Sequence, residues 1–346
     1  MSDPIFPWQQ EAWQQLQQLR LRMPHALLFH GAAGIGKTDF IERFAQSLLC
    51  ERRREDGHAC GACASCGWFG QHSHPDYRCV RPEALEDEPT SETEEGGEAD
   101  TGKKSAKASK APSKEIKIEQ IRNLADFMNI STHRQGLRVV VLYPAEALNT
   151  PASNALLKTL EEPPPGTVFL LASNSLDRLL PTILSRCRKF AMPMPDQAQS
   201  LAWLNSQGLA EADNWLREQG GAPLAALAQS ETGNREEMDA LLAMLANPSV
   251  ENALKTAEKL QKTPLSSLVS WQQRWLYDLF SCKLTNKVRY YPRYNKELAA
   301  LAAKMHTAQL LRAIKGANER RAIADHPLSP KLFVEEMLLD YAACCA

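Results

Sequence analysis

The chain of 346 residues is long enough for two or three domains at about 150 residues each, and its 44% apolar content can fill a sizeable core, which excludes a peptide hormone or a disordered tail. Its 40 basic and 41 acidic residues leave a formal charge of -1, so no whole-molecule field would hold the chain by itself on nucleic acid or an anionic membrane. The opening residues, Met1 to Leu16, lack the basic and apolar regions of a signal peptide, and no apolar run reaches the roughly 18 to 20 residues that span a bilayer; the expectation is a cytoplasmic protein with no membrane partner.

The first strand is predicted at Ala26-Leu27-Leu28-Phe29-His30, and it runs into Gly31-Ala32-Ala33-Gly34-Ile35-Gly36-Lys37-Thr38. This octapeptide fits G-x-x-x-x-G-K-[ST] at every fixed position, between a strand and a helix, which is the context that lends the motif weight. Gly31, Gly34 and Gly36 allow a compact loop whose N–H groups converge on phosphate oxygens. Lys37 reaches the outer phosphates, and Thr38 can ligate Mg2+. Phe40, Ile41, Phe44, Ala45, Leu48 and Leu49 recur at helical spacing and carry the next helix to Cys50.

Four of the nine cysteines follow within a short stretch, Cys50, Cys60, Cys63 and Cys66, in the pattern C-x9-C-x2-C-x2-C. In a reducing compartment such clustering points to metal rather than disulfides, and C-x2-C spacing lets neighbouring sulfurs face one ion. A structural Zn2+ knuckle over 50–66 is expected, its net charge offset by Arg52, Arg53 and Arg54. Two alternatives stay open here: four free thiols, or a set in which His58, His72 or His74 replaces one sulfur.

A second strand is predicted at Tyr77-Arg78-Cys79-Val80, after which the pattern stops between 83 and 114. Nine acids and five lysines leave this segment at -4, so the rest of the chain carries +3, and its composition marks a solvated, disordered insertion. A helical stripe resumes at Ile118, Ile121, Leu124, Ala125 and Met128; strands follow at 139–142 and 168–172. Continuous apolar runs separated by helical patterns predict an α/β domain over 1–192, a buried parallel sheet with helices on both faces. Met192-Pro193-Met194-Pro195 marks a hinge. The remainder is helical, divided into a small domain over 193–240 and a C-terminal domain over 241–346, with Leu201, Trp203, Leu204, Trp215, Leu216, Leu241, Leu242, Leu245, Trp271, Trp275, Leu276 and Leu279 as candidate core.

The phosphate loop, the cysteine cluster, Asn154-Ala155-Leu156-Leu157-Lys158-Thr159-Leu160-Glu161-Glu162-Pro163-Pro164 and Leu184-Ser185-Arg186-Cys187 occur in that order. From His25 to Phe190 the chain resembles the AAA+ clamp-loader family, most closely the delta prime branch of bacterial DNA polymerase III. The resemblance implies an AAA+ P-loop domain, a helical lid and an all-α collar for oligomerisation. It further implies a hetero-pentamer with gamma or tau and delta subunits that uses ATP to open the sliding clamp and place it on primed DNA, as part of a nucleotidyltransferase holoenzyme. In this family the Ser-Arg-Cys arginine reaches the nucleotide of the neighbouring subunit, a role that falls on Arg186.

Departures from the family pattern narrow the function. Active relatives place a Mg2+-binding Asp and a Glu after the third strand, whereas Leu142 is followed here by Tyr143-Pro144-Ala145-Glu146, with Glu146 too far along to inherit the role without a shift in register. In the lid segment Gly220-Gly221-Ala222-Pro223-Leu224, Leu224 stands where active relatives carry a sensor arginine. Ser173 and Asn174, after the fourth strand, can still supply a polar sensor contact. The expected chain binds ATP with Mg2+ and turns it over poorly, if at all; the alternatives are an active gamma or tau type ATPase, or a zinc-stabilised nucleic-acid-binding module.

Overall fold

In a computed structural model of the chain, residues 5–86, 112–129, 132–133, 136–324 and 329–345 are described. The chain divides into two compact units, Met1–Met194 and Pro195–Ala346, and the break falls inside the segment expected as a hinge.

The first unit is built on five strands, β1 (Ala26–His30), β2 (Tyr77–Val80), β3 (Arg138–Leu142), β4 (Thr167–Ser173) and β5 (Arg188–Ala191), all parallel in the order β2-β3-β4-β1-β5. β3 and β4 are buried at every position and read as unbroken apolar runs, whereas β5, on the edge, buries only Phe190. Parallel neighbours require crossover connections, and the helices supply them: α1 (Gln10–Leu19), α2 (Lys37–Leu49), α3 (Ala64–Gly70), α4 (Ile118–Asn129), α5 (Thr150–Glu161) and α6 (Pro181–Arg186). α4, α5 and α6 pack their apolar stripes on Leu28, Val140, Leu142, Phe169 and Leu171. The opposite face is closed by α1 and α2, where Phe40 meets Phe29 at 6.0 Å and Trp13 stands edge-on to Phe40 and Phe44. Helices on both faces of a parallel sheet are the architecture expected from the strand pattern.

Of the 83–114 insertion, residues 87–111 lie outside the described residues. Its two ends are fastened together: the Ser113 amide donates to Glu83 Oε2 (3.0 Å) and Lys117 Nζ to Glu83 Oε1 (2.7 Å).

The second unit is helical throughout its described residues, with α7 (Gln197–Ser206), α8 (Ala212–Glu218), α9 (Pro223–Glu231), α10 (Arg235–Ala246), α11 (Val250–Leu260), α12 (Leu265–Thr285), α13 (Asn295–Lys304), α14 (Thr307–Ile323) and α15 (Pro330–Cys345). Two apolar clusters hold it: a small one of Leu204, Ala212, Leu216 and Ala226, and a large one that begins at Met238 and encloses Trp271 and Trp275. Leu201, Trp203 and Trp215, expected as core, are only half-buried, because three short helices are too thin to cover them. The turn after α12 is secured by Asp278, a fully buried carboxylate that accepts from the amides of Arg289 (2.8 Å), Tyr290 (2.9 Å) and Tyr291 (2.8 Å). Asp278→Ala leaves three partly or fully buried N–H groups without an acceptor, and a loss of about 2–4 kcal/mol is expected as a lower urea midpoint with unchanged slope.

Candidate functional site

Gly31–Thr38 leaves the C-terminal end of β1 and feeds straight into α2. Gly36 stands at the helix N-cap with φ of 81°, a left-handed conformation that costs a side-chain-bearing residue about 1–2 kcal/mol. A Cβ at Gly36 would also lie 2.6 Å from the Phe6 ring, and one at Gly31 would lie 2.4 Å from the Met192 carbonyl oxygen. The closeness at Gly36 arises from a segment that motif spacing does not reveal. Gln9 Nε2 donates to the carbonyls of Ile35 (3.1 Å) and Gly36 (2.8 Å), Trp8 Nε1 donates to Ile35 (3.0 Å), and Phe6 stacks on Trp8 at 4.9 Å. The N-terminal segment thus braces the outer side of the loop, while the first turn of α2 presents the backbone amides suited to an anion.

Lys37 is buried, with 6% of its surface exposed, and its Nζ donates to Ala32 O (2.5 Å) and Asn174 Oδ1 (2.7 Å). Burial lowers its pKa to about 8, with Glu146 acting in the opposite direction. Glu146 thus acts on the Lys37 ammonium through its charge and joins the site through Asn174. The short helical turn Ala145–Ala147 after β3 brings Glu146 Oε1 to the Asn174 amide (3.0 Å), and its Oε2 is buried without a hydrogen-bond partner among the described residues. Asn174, rather than Ser173, is the residue presented to Lys37: the Ser173 hydroxyl is fully buried and bonded to the backbone of Ser175 (3.1 Å). Thr38 is half-buried on the first turn of α2. The donor set suits a nucleoside polyphosphate with Mg2+: loop amides and Lys37 for phosphate, Thr38 for the cation, and a buried carboxylate oxygen in need of a partner.

Tyr143, directly after β3, is bound to other partners. Its hydroxyl donates to Glu42 Oε1 on α2 (3.2 Å) and accepts from Arg81 (3.4 Å), and burial raises the pKa of both Tyr143 and Glu42. In the first turn of α9, Leu224 is half-buried and no cation occupies its place.

Cys50, Cys60, Cys63 and Cys66 converge with all four sulfurs within 4.8 Å of one another. Cys50–Cys63 and Cys60–Cys66 stand at 3.9 Å, close to the about 3.8 Å edge of a tetrahedron with metal–sulfur bonds of about 2.3 Å. Three amides point at the sulfurs: Cys60 N at Cys50 (3.2 Å), Ala62 N at Cys60 (3.4 Å) and Cys66 N at Cys63 (3.4 Å). Such bonds favour thiolates; the one from Ala62 is the largest influence drawing the Cys60 thiol down to about 6. No histidine replaces a sulfur. His58 stacks on Trp13 at 4.2 Å, His74 bonds Ser65 Oγ (2.7 Å) and the Asp76 amide (3.0 Å), and His72 is exposed outside the cluster. Arg52, Arg53 and Arg54 are exposed beside it.

Arg186 closes α6. Its guanidinium donates to Thr182 O (2.9 Å) and Ser185 Oγ (3.3 Å) and is paired with the Glu161 carboxylate at the end of α5. The Arg186 side chain is 31% exposed and that of Glu161 49%, so this pairing contributes little to stability and can be exchanged for another anion. Gly36→Ala is expected to lower stability by at least about 1–2 kcal/mol from backbone strain, with a further loss from the Phe6 contact. Thermal melting of Gly36→Ala, with and without Phe6→Ala, checks this: the second change should recover the contact part alone.

Comparison with known proteins identifies the family. The family model described as DNA polymerase III, delta subunit, matches residues 8–196. The DNA polymerase III subunit delta' of Pseudomonas aeruginosa is 37% identical over 294 residues, covering 83% of this chain and 80% of the relative. That of Haemophilus influenzae is 30% identical over 238 residues, covering 67% and 64%. DNA polymerase III subunit tau of Escherichia coli is 32% identical over 178 residues, covering 51% of this chain and 23% of that protein. The match over residues 8–196 and this extent of shared sequence establish that the chain belongs to the delta prime family of DNA polymerase III clamp-loader subunits.

Proposed function

We propose that the chain holds MgATP without turning it over and supplies Arg186 in trans to the nucleotide of a neighbouring subunit. The assembly is a hetero-pentamer with gamma or tau and delta, in which residues 193–240 serve as lid and 241–346 as collar. Its task is to open the sliding clamp and set it on primed DNA in the cytoplasm. The observation that carries this proposal is the residue after β3. A complete phosphate loop is served by Lys37, Asn174 and Glu146, yet Tyr143 occupies the place of the Mg2+-binding Asp of active relatives and turns to Glu42 and Arg81. Phosphoryl transfer depends on positioned charge around the transferring group, and Tyr143 and Leu224 remove two charged contributors. The remaining set favours holding a nucleotide over cleaving it.

Arg186 lies on the surface with an exchangeable partner, as a group that acts on another subunit must. A guanidinium at the transferring phosphoryl group stabilises the charge that develops there. In a reconstituted loader, Arg186→Ala should lower ATP turnover by gamma or tau by about tenfold or more, with assembly by gel filtration unchanged; undiminished turnover would remove the trans role.

The Lys37 ammonium gives a pH signature. Its pKa is depressed to about 8, so below that pH it carries the charge that pairs with phosphate, and above it the charge is lost. Affinity for MgATP should fall as pH rises past about 8, by up to about tenfold per unit, in calorimetric titrations. A flat profile from pH 7 to about 9.5 would contradict this role for Lys37.

The four cysteines are proposed to bind a structural Zn2+, since four sulfur ligands leave no open position for chemistry. Binding is coupled to the folding of 50–66, so chelation should lower the melting temperature and expose the thiols, and added Zn2+ should restore both. Cys63→Ser should match the chelated protein.

A further inference from the structure

We propose that α1 couples the cysteine knuckle to the phosphate loop, so that Zn2+ on the four sulfurs tightens MgATP binding and MgATP tightens the hold on Zn2+. The coupling rests on the nucleotide and zinc sites proposed above. Its carrier is one continuous helical segment, the turn Pro7–Gln9 followed by α1, which touches both sites.

At the start of this segment Gln9 is 1% exposed. It accepts from the Phe6 amide through Oε1 (3.3 Å) and donates through Nε2 to the Ile35 and Gly36 carbonyls, while Trp8 Nε1 donates to Ile35 O. A trans peptide carries its N–H opposite its carbonyl, so fixing these two oxygens from outside sets the direction of the Gly36 and Lys37 amides on the inner side of the loop. Those amides are donors for the proposed phosphate.

One turn further along, the same segment grips the knuckle. Trp13, 3% exposed, donates Nε1–H to Asp56 O (3.0 Å) and stacks on His58 with the rings parallel. Gln17, a turn beyond, lies so close to Gly57 that a Cβ there would collide with its side-chain amide. The Trp13 ring also stands against Phe40 (5.7 Å) and Phe44 (6.1 Å) of α2, so one indole is held between the knuckle and the helix that Lys37 opens. Asp56, Gly57 and His58 belong to the nine residues between Cys50 and Cys60, a stretch without helix or strand. An ion that draws Cys50 to Cys60 fixes that stretch and with it the grip on Trp13. Without the ion the grip loosens, and the brace on Ile35 and Gly36 loosens with it. Both sites thus bias one element, α1 docked or undocked, as reciprocal coupling requires.

For the full chain, MgATP affinity should be measured by calorimetry with and without Zn2+, and Zn2+ affinity by competition with a chelator, with and without MgATP. Zinc is expected to tighten MgATP about tenfold, and MgATP to tighten Zn2+ by the same factor. Trp13→Phe combined with His58→Ala removes the hydrogen bond and the stack, yet leaves every sulfur and an aromatic ring against Phe40 and Phe44. The knuckle keeps its tie to α2 through Ser65 Oγ, which donates to Leu49 O (2.7 Å). This variant should hold one equivalent of Zn2+ and bind MgATP about tenfold more weakly than the native chain, with neither ligand affecting the other. Since it is assayed with zinc in place, unfolding of a zinc-free chain cannot produce that result. The coupling is overturned, with both sites left standing, if the native chain binds the two ligands independently, if the variant matches it in MgATP affinity, or if a weakened variant retains the native mutual factor. A native chain that takes up no Zn2+ or no MgATP overturns the coupling together with the site that fails.

Discussion

The register between β1 and β4 is the constraint from which the site follows. His30 pairs with Ser173, so the loop that leaves β1 and the residue that follows β4 emerge side by side at one end of the sheet, where Lys37, at the start of α2, meets Asn174, 137 positions on. A parallel sheet places all its C-terminal strand ends on that edge, which is where ligands of such folds bind. Lys37 exploits the adjacency: a buried ammonium needs acceptors, and it takes one from its own loop and one from beyond β4. Glu146 arrives on the same edge from β3. In the proposed function, bound phosphate replaces these neutral oxygens at Lys37 with charged ones.

The strands and the loop were legible in the sequence for a simple physical cause. Fully buried parallel strands must be apolar throughout, and a loop that wraps phosphate must have glycine where φ is positive. The cysteine cluster was legible too, since C-x2-C spacing restricts where the sulfurs can point, although only the stacking of His58 on Trp13 and the bonding of His74 to Ser65 excluded histidine. Less was readable where backbone direction decides the outcome. Whether Ser173 or Asn174 faces the loop depends on where β4 stops, and Ser173 is still within the strand. Glu146 bonds the Asn174 amide only because the short turn after β3 folds back, which distance along the chain does not reveal. Phe6, Trp8 and Gln9 carry no motif at all; their role depends on which face of the loop remains open once α2 has formed.

The polar groups divide into those that hold the chain and those that face outward. Asp278 commits its charge to three amides, and the neutral Tyr143 hydroxyl donates to Glu42 and accepts from Arg81, and these serve the fold. Arg186 has, besides two neutral oxygens of its own helix, one carboxylate partner that is itself partly exposed, so its charge stays transferable. The residue after β3 is thus held by Glu42 and Arg81, and the proposed function draws on that commitment.

The central claim, nucleotide held and not cleaved, is tested most directly by recovering what is bound. The purified chain should be incubated with MgATP for hours, separated rapidly from free ligand, and the bound nucleotide identified by chromatography. Intact ATP near one equivalent per chain, lost in Lys37→Ala, is the predicted result. Bound ADP with steady release of phosphate, abolished by Lys37→Ala, would contradict it.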